Sequence, residues 1–202
     1  MIGKIRKGRS FGGCIRYVTQ KDDAKIIASE GVLLGTAEEM ARSFRWQCLL
    51  NPDVTKPVGH IALSFKPEDA PRLTDAFMAS LAEEYLELIG IRNTQFIVVR
   101  HHGTDNPHCH IVFNRVDFDG KVISDSNDFR RNEKVTKMLK DKYSLTYSEG
   151  KQSVKTEKLH ASEKVKYEIY RAVKEALRSA DTWKEFQNKL LKMGVEMEFK
   201  YK

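Results

Sequence analysis

A histidine-rich stretch between two apolar runs constrains this chain more than any other part of its sequence. Residues 100–114 read RHHGTDNPHCHIVFN and hold four of the six histidines of the chain. The apolar runs at 96–99 and 111–113 are typical of β-strands, and the glycine, aspartate, asparagine and proline between them favour a turn. The stretch therefore predicts a β-hairpin with its loop near residues 102–107.

The alternation of side chains along a strand brings three of these histidines together. Successive side chains point to opposite faces of a sheet, so His108 and His110 share one face. If the hairpin pairs His101 opposite His108, their Cβ atoms lie about 4.5–5.5 Å apart. Three imidazoles on one rigid patch can form a divalent metal site with open positions for substrate. The alternative is that they are surface residues of an edge hairpin that bind no metal, or that they only hydrogen-bond to one another.

The amino-terminal segment is strongly basic. Six basic residues precede the first acidic residue, Asp22, and they are Lys4, Arg6, Lys7, Arg9, Arg16 and Lys21. The chain has a formal net charge of +7, which together with this run favours an anionic partner such as a phosphate backbone. A solvated surface without a partner is the alternative. Ser10 is expected to cap a short helix over residues 11–20, which carries Tyr17.

The cysteines and the hydropathy pattern indicate the cellular compartment of the protein. Cys14, Cys48 and Cys109 are odd in number and not closely spaced, which indicates reduced thiols and argues against a disulfide framework or a zinc knuckle. No apolar stretch approaches the roughly 20 residues of a membrane span, and no signal peptide is recognisable. The sequence therefore predicts a cytoplasmic protein without a membrane span.

The hydrophobic periodicity of the rest of the chain predicts the fold. Strands are expected at 25–34 and 57–65, and helices at 36–50 and 68–89. This order indicates an α+β domain with one central antiparallel β-sheet, helices packed on one face and the metal on the other.

From residue 126 the chain changes character. A lysine-rich helix from 128 precedes a polar linker at 148–156. Two further helices are expected, one at 161–179 and one that starts with Asp181 as its N-cap. We divide the chain into a core at 1–125 and a helical extension at 126–202. Residues 195–202 are expected to start a strand, which favours a truncated longer protein.

The histidine pattern resembles the metal motif of conjugative relaxases, the mobilisation nucleases of the single-tyrosine type in the HUH endonuclease superfamily. A histidine, then His-Cys-His on a strand, then Asn-Arg-Val carries the resemblance, and it implies His101, His108 and His110 as ligands. Gly103 and Asn106 stand where the usual motif has an acid and a further histidine. Asp105 matches a frequent acid of the family, with the implied role of holding a ligand imidazole in its tautomer.

Two further segments support the resemblance. In these relaxases the nucleophilic tyrosine lies in an amino-terminal Ser-x-x-Gly…Tyr-x-x-x-Lys context, which residues 10–21 match and which implies Tyr17 as the nucleophile. Residues 60–68 resemble the second relaxase motif, in which a serine helps to hold DNA near the scissile phosphate. Ser64 takes that position, although it can equally be a small strand residue with a satisfied hydroxyl. His60 is expected to be a hydrogen-bonding neighbour of the site rather than a ligand.

The resemblance implies a metal-dependent DNA nickase that acts at an origin of transfer. Tyr17 would attack a phosphate of single-stranded DNA, release a 3′-hydroxyl and keep a 5′-phosphotyrosyl link for later rejoining. A divalent ion (Mg, Mn or Zn) would offset the developing charge. Ser64 and the six basic residues would contact the DNA, and the resemblance implies single-stranded origin DNA with a hairpin as the substrate. Accessory mobilisation proteins and a coupling protein are the implied protein partners.

Other functions also fit the residues. A rolling-circle replication initiator or a single-strand transposase would share the histidines, although the tyrosine of those enzymes usually follows them. A non-catalytic single-stranded DNA-binding module would use the sheet and the basic residues alone. A metal-dependent hydrolase would lack a covalent step, and a DNA–protein adduct that survives denaturant would distinguish the relaxase from the last two.

Overall fold

The computed structural model describes residues 1–147 and 161–198, and the chain divides into two compact units, Met1–Ser148 and Glu149–Lys202. In the first unit, five strands form one antiparallel sheet in the order β1-β3-β5-β4-β2. The strands are β1 (Ile2–Gly8), β2 (Ala24–Glu30), β3 (Val58–Ser64), β4 (Phe96–His101) and β5 (His108–Asn114). The histidine-rich stretch thus forms the hairpin β4–β5 at the centre of the sheet, as predicted.

The helices begin and end where the sequence places local signals. The described part of the first unit contains α1 (Phe11–Thr19), α2 (Ala37–Cys48), α3 (Asp75–Ile89) and α4 (Asp128–Lys142). The Ser10 side chain accepts a hydrogen bond from the Gly13 amide, and Thr36 and Glu39 form a capping box at the start of α2. Gly90 ends α3 in the left-handed conformation, at φ +84°.

The long helix expected over residues 68–89 is interrupted near its start. A 3-10 helix occupies Pro67–Arg72, and α3 begins only after Thr74, whose side chain accepts a hydrogen bond from the Phe77 amide. Pro71 lacks the amide hydrogen that a continuous α-helix would need, and Thr74 offers a new cap. The apolar periodicity is therefore shared between two helical segments.

Helices cover both faces of the sheet, so the expectation of helices on one face only is corrected. Helices α3 and α4 bury Leu81, Tyr85 and Leu139 against one face. Helices α1 and α2 bury Ile15 and Phe44 against the other. Each amphipathic helix needs an apolar surface to cover, and the strands of the sheet centre are apolar on both sides. The predicted α+β fold with a central antiparallel sheet is otherwise confirmed.

Helices α1 and α2 leave part of their face of the sheet uncovered. Strand register places Lys4 opposite Ala62, Ala62 opposite His110, and Ser64 opposite His108. Residues that are directly opposite in neighbouring strands project to the same side of a sheet. Lys4 and Arg6 of β1 and the histidines of β5 therefore share the uncovered part of this face.

Helix α4 belongs to the first compact unit. The Tyr85 hydroxyl donates to Asn132 Oδ1 at 2.8 Å, and Asn132 Nδ2 donates to the Gly3 carbonyl at 2.8 Å. These bonds join α4 to α3 and to the edge strand β1. The sequence-based boundary near residue 125 thus differs from the end of the compact unit at Ser148.

The second unit contains two described helices, α5 (Ala161–Ser179) and α6 (Trp183–Lys192), close to the predicted positions. Ala176, Phe186 and Leu190 form its small core, and Thr182, rather than Asp181, caps α6. The predicted linker at 148–156 lies outside the described residues, and so do 199–202 of the predicted last strand. Residues 195–198 are not part of a strand. No helix among the described residues is long and apolar enough to cross a membrane.

Candidate active site

Three histidines converge at one end of the β4–β5 hairpin. His101 on β4 pairs directly with His108 on β5, and His110 follows two residues later on the same face. One ring nitrogen of each can be chosen so that the three atoms lie within 4.8 Å of one another. His101 and His110 are only 2% and 6% exposed. Strand alternation and hairpin register therefore bring together the three residues that the sequence predicted as ligands.

Backbone carbonyl groups orient two of the three rings. His101 Nε2 lies 2.8 Å from the Val18 carbonyl oxygen, and His108 Nδ1 lies 3.0 Å from the Asn106 carbonyl oxygen. A carbonyl oxygen only accepts hydrogen bonds, so the ring nitrogen that faces it carries the hydrogen. The hydrogen-bond partners thus assign the unprotonated positions of the neutral rings as His101 Nδ1 and His108 Nε2.

Those two unprotonated nitrogens face each other at 3.1 Å. With both rings neutral, two lone pairs oppose each other without a hydrogen between them. Two imidazole nitrogens that bind one ion at about 2.1 Å, the usual zinc–nitrogen distance, lie roughly 3 Å apart when the bond angle is near 90–110°. The donor set and its spacing therefore fit a divalent metal ion.

A fourth histidine, His60, contacts His110. His60 Nε2 lies 3.0 Å from His110 Nδ1, which leaves His110 Nε2 for an ion. Burial, followed by the neighbouring imidazole of His60, lowers the pKa of His110 to about 3. Burial also lowers the pKa of His108 and of His60 below the usual histidine range. The rings of His60, His108 and His110 are therefore neutral near pH 7, and a histidine must be neutral to bind a metal ion.

Tyr17 lies beside the histidines. Its ring meets the His110 ring edge to face with centroids 5.7 Å apart, and its centroid is 6.0 Å from that of His60. Helix α1 positions it, because Ile15 and Val18 are buried in the core while Tyr17 is 62% exposed on the other side of the helix. The expected nucleophile and the expected metal ligands therefore meet in space, although they are far apart in the sequence.

A cleft of about 350 Å³ connects Tyr17, two of the histidines and two basic residues. Its position is defined by α1 on one side and by β1, β3 and β5 below. The residues that line it are Lys4, Arg6, Gly13, Cys14, Tyr17, His60, Ala62 and His110. A polyanion that enters this cleft would contact basic side chains on one wall and Tyr17 on the other.

A larger cleft, of about 640 Å³, has the opposite character. Four glutamates line it, namely Glu30, Glu83, Glu84 and Glu87. Carboxylates repel phosphate, so this cleft does not suit a nucleic acid. The smaller basic cleft is the one that combines charge with reactive groups.

The six predicted basic residues occupy different surroundings. Lys4 and Arg6 line the cleft, and the charge of Lys21 acts on both His108 and His110. Arg9 and Arg16 are exposed. Lys7 projects to the opposite face of β1, where it forms ion pairs with Asp128 and Asp125 of the α4 region. The structure therefore separates Lys7 from the cleft.

Ser64 and Asp105 also differ in their placement. Ser64 is half-buried on β3 and pairs with His108. Asp105 is exposed in the hairpin loop, and within residues 1–147 and 161–198 no hydrogen bond or ion pair joins its carboxylate to a histidine. The second nitrogens of the ligand rings contact the Val18 and Asn106 carbonyls and His60 instead.

A carboxylate that the sequence analysis missed lies beside the hairpin loop. The Gly103 amide donates to Asp23 Oδ2 at 2.5 Å, and a Cβ atom at residue 103 would lie 2.8 Å from that oxygen. This bond, more than any other interaction, lowers the pKa of Asp23. Asp23 thus occupies the space of a side chain at residue 103, where the usual motif carries an acid. The sequence analysis missed Asp23 because this residue lies far from Gly103 along the chain.

Comparison with known proteins agrees with this geometry. A family model described as "Relaxase: MobA/VirD2-like, nuclease domain" matches residues 17–145, well over half of the chain. The match begins at Tyr17 and includes β2–β5 and all three clustered histidines. No curated protein matches the chain. The chain belongs to the MobA/VirD2-like relaxases and contains their nuclease domain.

Proposed function

We propose that this relaxase cleaves one strand of DNA at an origin of transfer through Tyr17, and later rejoins it, to initiate transfer of a plasmid or another mobile element. The observation that carries the proposal is the position of Tyr17, exposed and edge-on to His110 in a cleft that Lys4 and Arg6 also line. A single-stranded substrate with an adjacent hairpin is the form of DNA that we propose. Accessory mobilisation proteins and a coupling protein are the proposed partners, in the cytoplasm.

The chemistry begins with attack of the Tyr17 hydroxyl oxygen on a backbone phosphorus atom. A new phosphorus–oxygen bond forms to Tyr17 as the bond to the 3′ oxygen breaks. The tyrosine hydroxyl loses its proton, and the departing 3′ oxygen gains one to become a hydroxyl. The product is a 5′-phosphotyrosyl link, which conserves a phosphodiester, so attack by a 3′-hydroxyl can restore the DNA strand.

The surrounding residues would position the phosphate for this reaction. Lys4 and Arg6 supply positive charge along the cleft, and the rigid sheet and helix α1 hold the reacting groups in place. His101, His108 and His110 would hold a divalent ion, which, when bound, polarises the non-bridging oxygens of the phosphate and offsets the negative charge of the transition state. Three protein ligands leave further positions of such an ion open to substrate.

The test uses labelled single-stranded oligonucleotides that tile the origin region of the element encoding the protein. With a divalent ion, we expect one oligonucleotide to be cut at one position and to remain attached to the protein under denaturing electrophoresis. Chelation, or the change His108→Ala, should abolish cutting, whereas the control His102→Gln should retain it. His102 is an exposed histidine outside the cluster.

Two results would contradict the proposal in different ways. Cutting without a protein-linked product would indicate a metal-dependent hydrolase. Binding of single strands without any cutting, across all tiles and ions, would indicate a non-catalytic DNA-binding module.

A further inference from the structure

We propose that His60 is a positioning residue that accepts a hydrogen bond from His110 and thereby presents His110 Nε2 to the metal ion. The inference deepens the proposed function, because it rests on the metal centre formed by His101, His108 and His110. It assigns a defined role to a residue outside these three ligands.

The contact between the two rings is direct. His60 Nε2 and His110 Nδ1 are 3.0 Å apart, and the ring centroids are 5.0 Å apart. His60 lies on β3, which pairs with β5 in a register that places Ala62 opposite His110. His60 is therefore the diagonal neighbour of His110 on the same face of the sheet, a distance that a long or aromatic side chain can span.

The direction of this hydrogen bond decides whether His110 can bind an ion. If His60 donates, His110 Nδ1 is the acceptor, and in the neutral ring Nε2 then carries the hydrogen and has no lone pair to offer. If His110 Nδ1 donates to His60, His110 Nε2 is free to coordinate. Coordination and the acceptor role of His60 are therefore coupled.

His110 differs in this respect from the other two ligands. The partners of His101 and His108 include the carbonyl oxygens of Val18 and Asn106, which can only accept. The Thr104 hydroxyl also lies 3.2 Å from His108 Nδ1, but it donates its hydrogen to the Asn106 carbonyl. An imidazole can accept or donate, so the tautomer of His110 depends on that of His60. Among these hydrogen-bond partners, His60 is thus the one that can either donate or accept. It also lines the cleft beside Tyr17.

The test compares cobalt(II) binding by the purified protein and its variants. His60→Phe keeps a ring but removes the acceptor, and His60→Gln restores an oxygen that can accept from His110 Nδ1. We expect His60→Phe to weaken cobalt affinity by about 10–100-fold, the usual effect of losing such a partner of a ligand, and to change the visible absorption of bound cobalt. His60→Gln should recover most of the affinity, and His102→Gln should match the unmodified protein. Circular dichroism of the ion-free variants checks that each one folds.

A second measurement needs no variant. Nitrogen-15 spectra of the histidine rings in the zinc-loaded protein should show the hydrogen on His110 Nδ1 and an unprotonated Nε2 on His60. The inference is overturned if these assignments are reversed, if His60→Phe binds cobalt as tightly as the unmodified protein, or if His60→Gln is as weak as His60→Phe. Failure of the unmodified protein to bind any divalent ion would instead overturn the metal centre itself, and this inference with it.

Discussion

The rings of Tyr17 and His110 meet edge to face with their centroids 5.7 Å apart. One ring is carried by α1 and the other by the central strand β5, so the packing of this helix on the sheet creates the contact. His110 is buried, whereas Tyr17 is exposed to the cleft. A phosphate could therefore reach the tyrosine hydroxyl while the imidazole remains shielded from solvent.

Replacement of Tyr17 by phenylalanine tests this arrangement most directly. The change removes the attacking oxygen and keeps the ring, so folding and DNA affinity should be retained while the covalent adduct disappears. The measurement is denaturing electrophoresis of protein incubated with labelled oligonucleotide. Tyr147→Phe is the matched control, because Tyr147 is also exposed but contacts Asp141 and Lys140 instead of the histidines. Adduct formation by Tyr17→Phe would show that another residue is the nucleophile.

Two neighbouring residues of β1 should contribute to different properties. Arg6 lines the cleft, so Arg6→Gln should weaken single-stranded DNA binding and reduce the salt slope by about 0.7, the value for one phosphate contact on a single strand. Lys7 is 23% exposed and pairs with Asp128, which is 9% exposed. Lys7→Gln should therefore leave the salt slope unchanged. Fluorescence anisotropy across a range of salt concentrations measures both slopes.

The same pair should show the opposite pattern in stability. Lys7→Gln leaves the largely buried Asp128 carboxylate without its cation, at a cost of about 1–3 kcal/mol in the free energy of unfolding. Arg6→Gln, at an exposed position, should change that free energy by less than about 0.5 kcal/mol. Urea denaturation measures this difference. An equal loss of DNA affinity in both variants would contradict the separation of the two faces of β1.

Cys14 should report on occupancy of the cleft in a pH-dependent way. Burial raises the pKa of its thiol to about 11, and the thiolate is the form that reacts with alkylating reagents. The thiolate fraction is therefore small at pH 7 and should grow about tenfold for each pH unit until the pKa is approached. Bound single-stranded DNA should slow the reaction further, because Cys14 lines the cleft. Mass spectrometry of the Cys14 peptide after iodoacetamide treatment gives the rate, and rapid reaction at pH 7 or no protection by DNA would contradict this prediction.

The cluster of three histidines was predictable from the sequence, whereas most of its surroundings were not. His101, His108 and His110 follow from strand alternation and from one hairpin, which are local properties of residues 96–114. The Val18 carbonyl has no signal in the sequence, because every residue has a carbonyl group and only the packing of α1 brings this one to His101. Ser10 and Gly90 were predictable as helix boundaries for the same local reason as the hairpin.

Long-range packing accounts for the differences in the fold. The apolar pattern of α1 shows that one side of the helix is buried, but not which face of the sheet it covers. The lysine-rich α4 has a weakly apolar sequence, yet Val135 and Leu139 are buried in the main core. Its bonds through Asn132 to Tyr85 and Gly3 link residues far apart in the chain, and no local pattern indicates them.

The two aspartates near the hairpin loop provide a final prediction. Asp23 accepts the Gly103 amide hydrogen bond and its charge lies near His101, while Asp105 has no such contact among the described residues. Asp23→Ala should therefore weaken metal binding and nicking by up to about tenfold, as expected for loss of a group that orients the ligand region, and Asp105→Ala should change neither. Gly103→Ala should act in the same direction as Asp23→Ala, because the added Cβ would meet the Asp23 carboxylate at 2.8 Å. The two changes remove one interaction, so the double variant should be no worse than the more severe single variant. Cobalt titration and the oligonucleotide nicking assay measure these effects. A larger loss for Asp105→Ala than for Asp23→Ala would indicate that Asp105, in the hairpin loop, is the acid that orients the histidines.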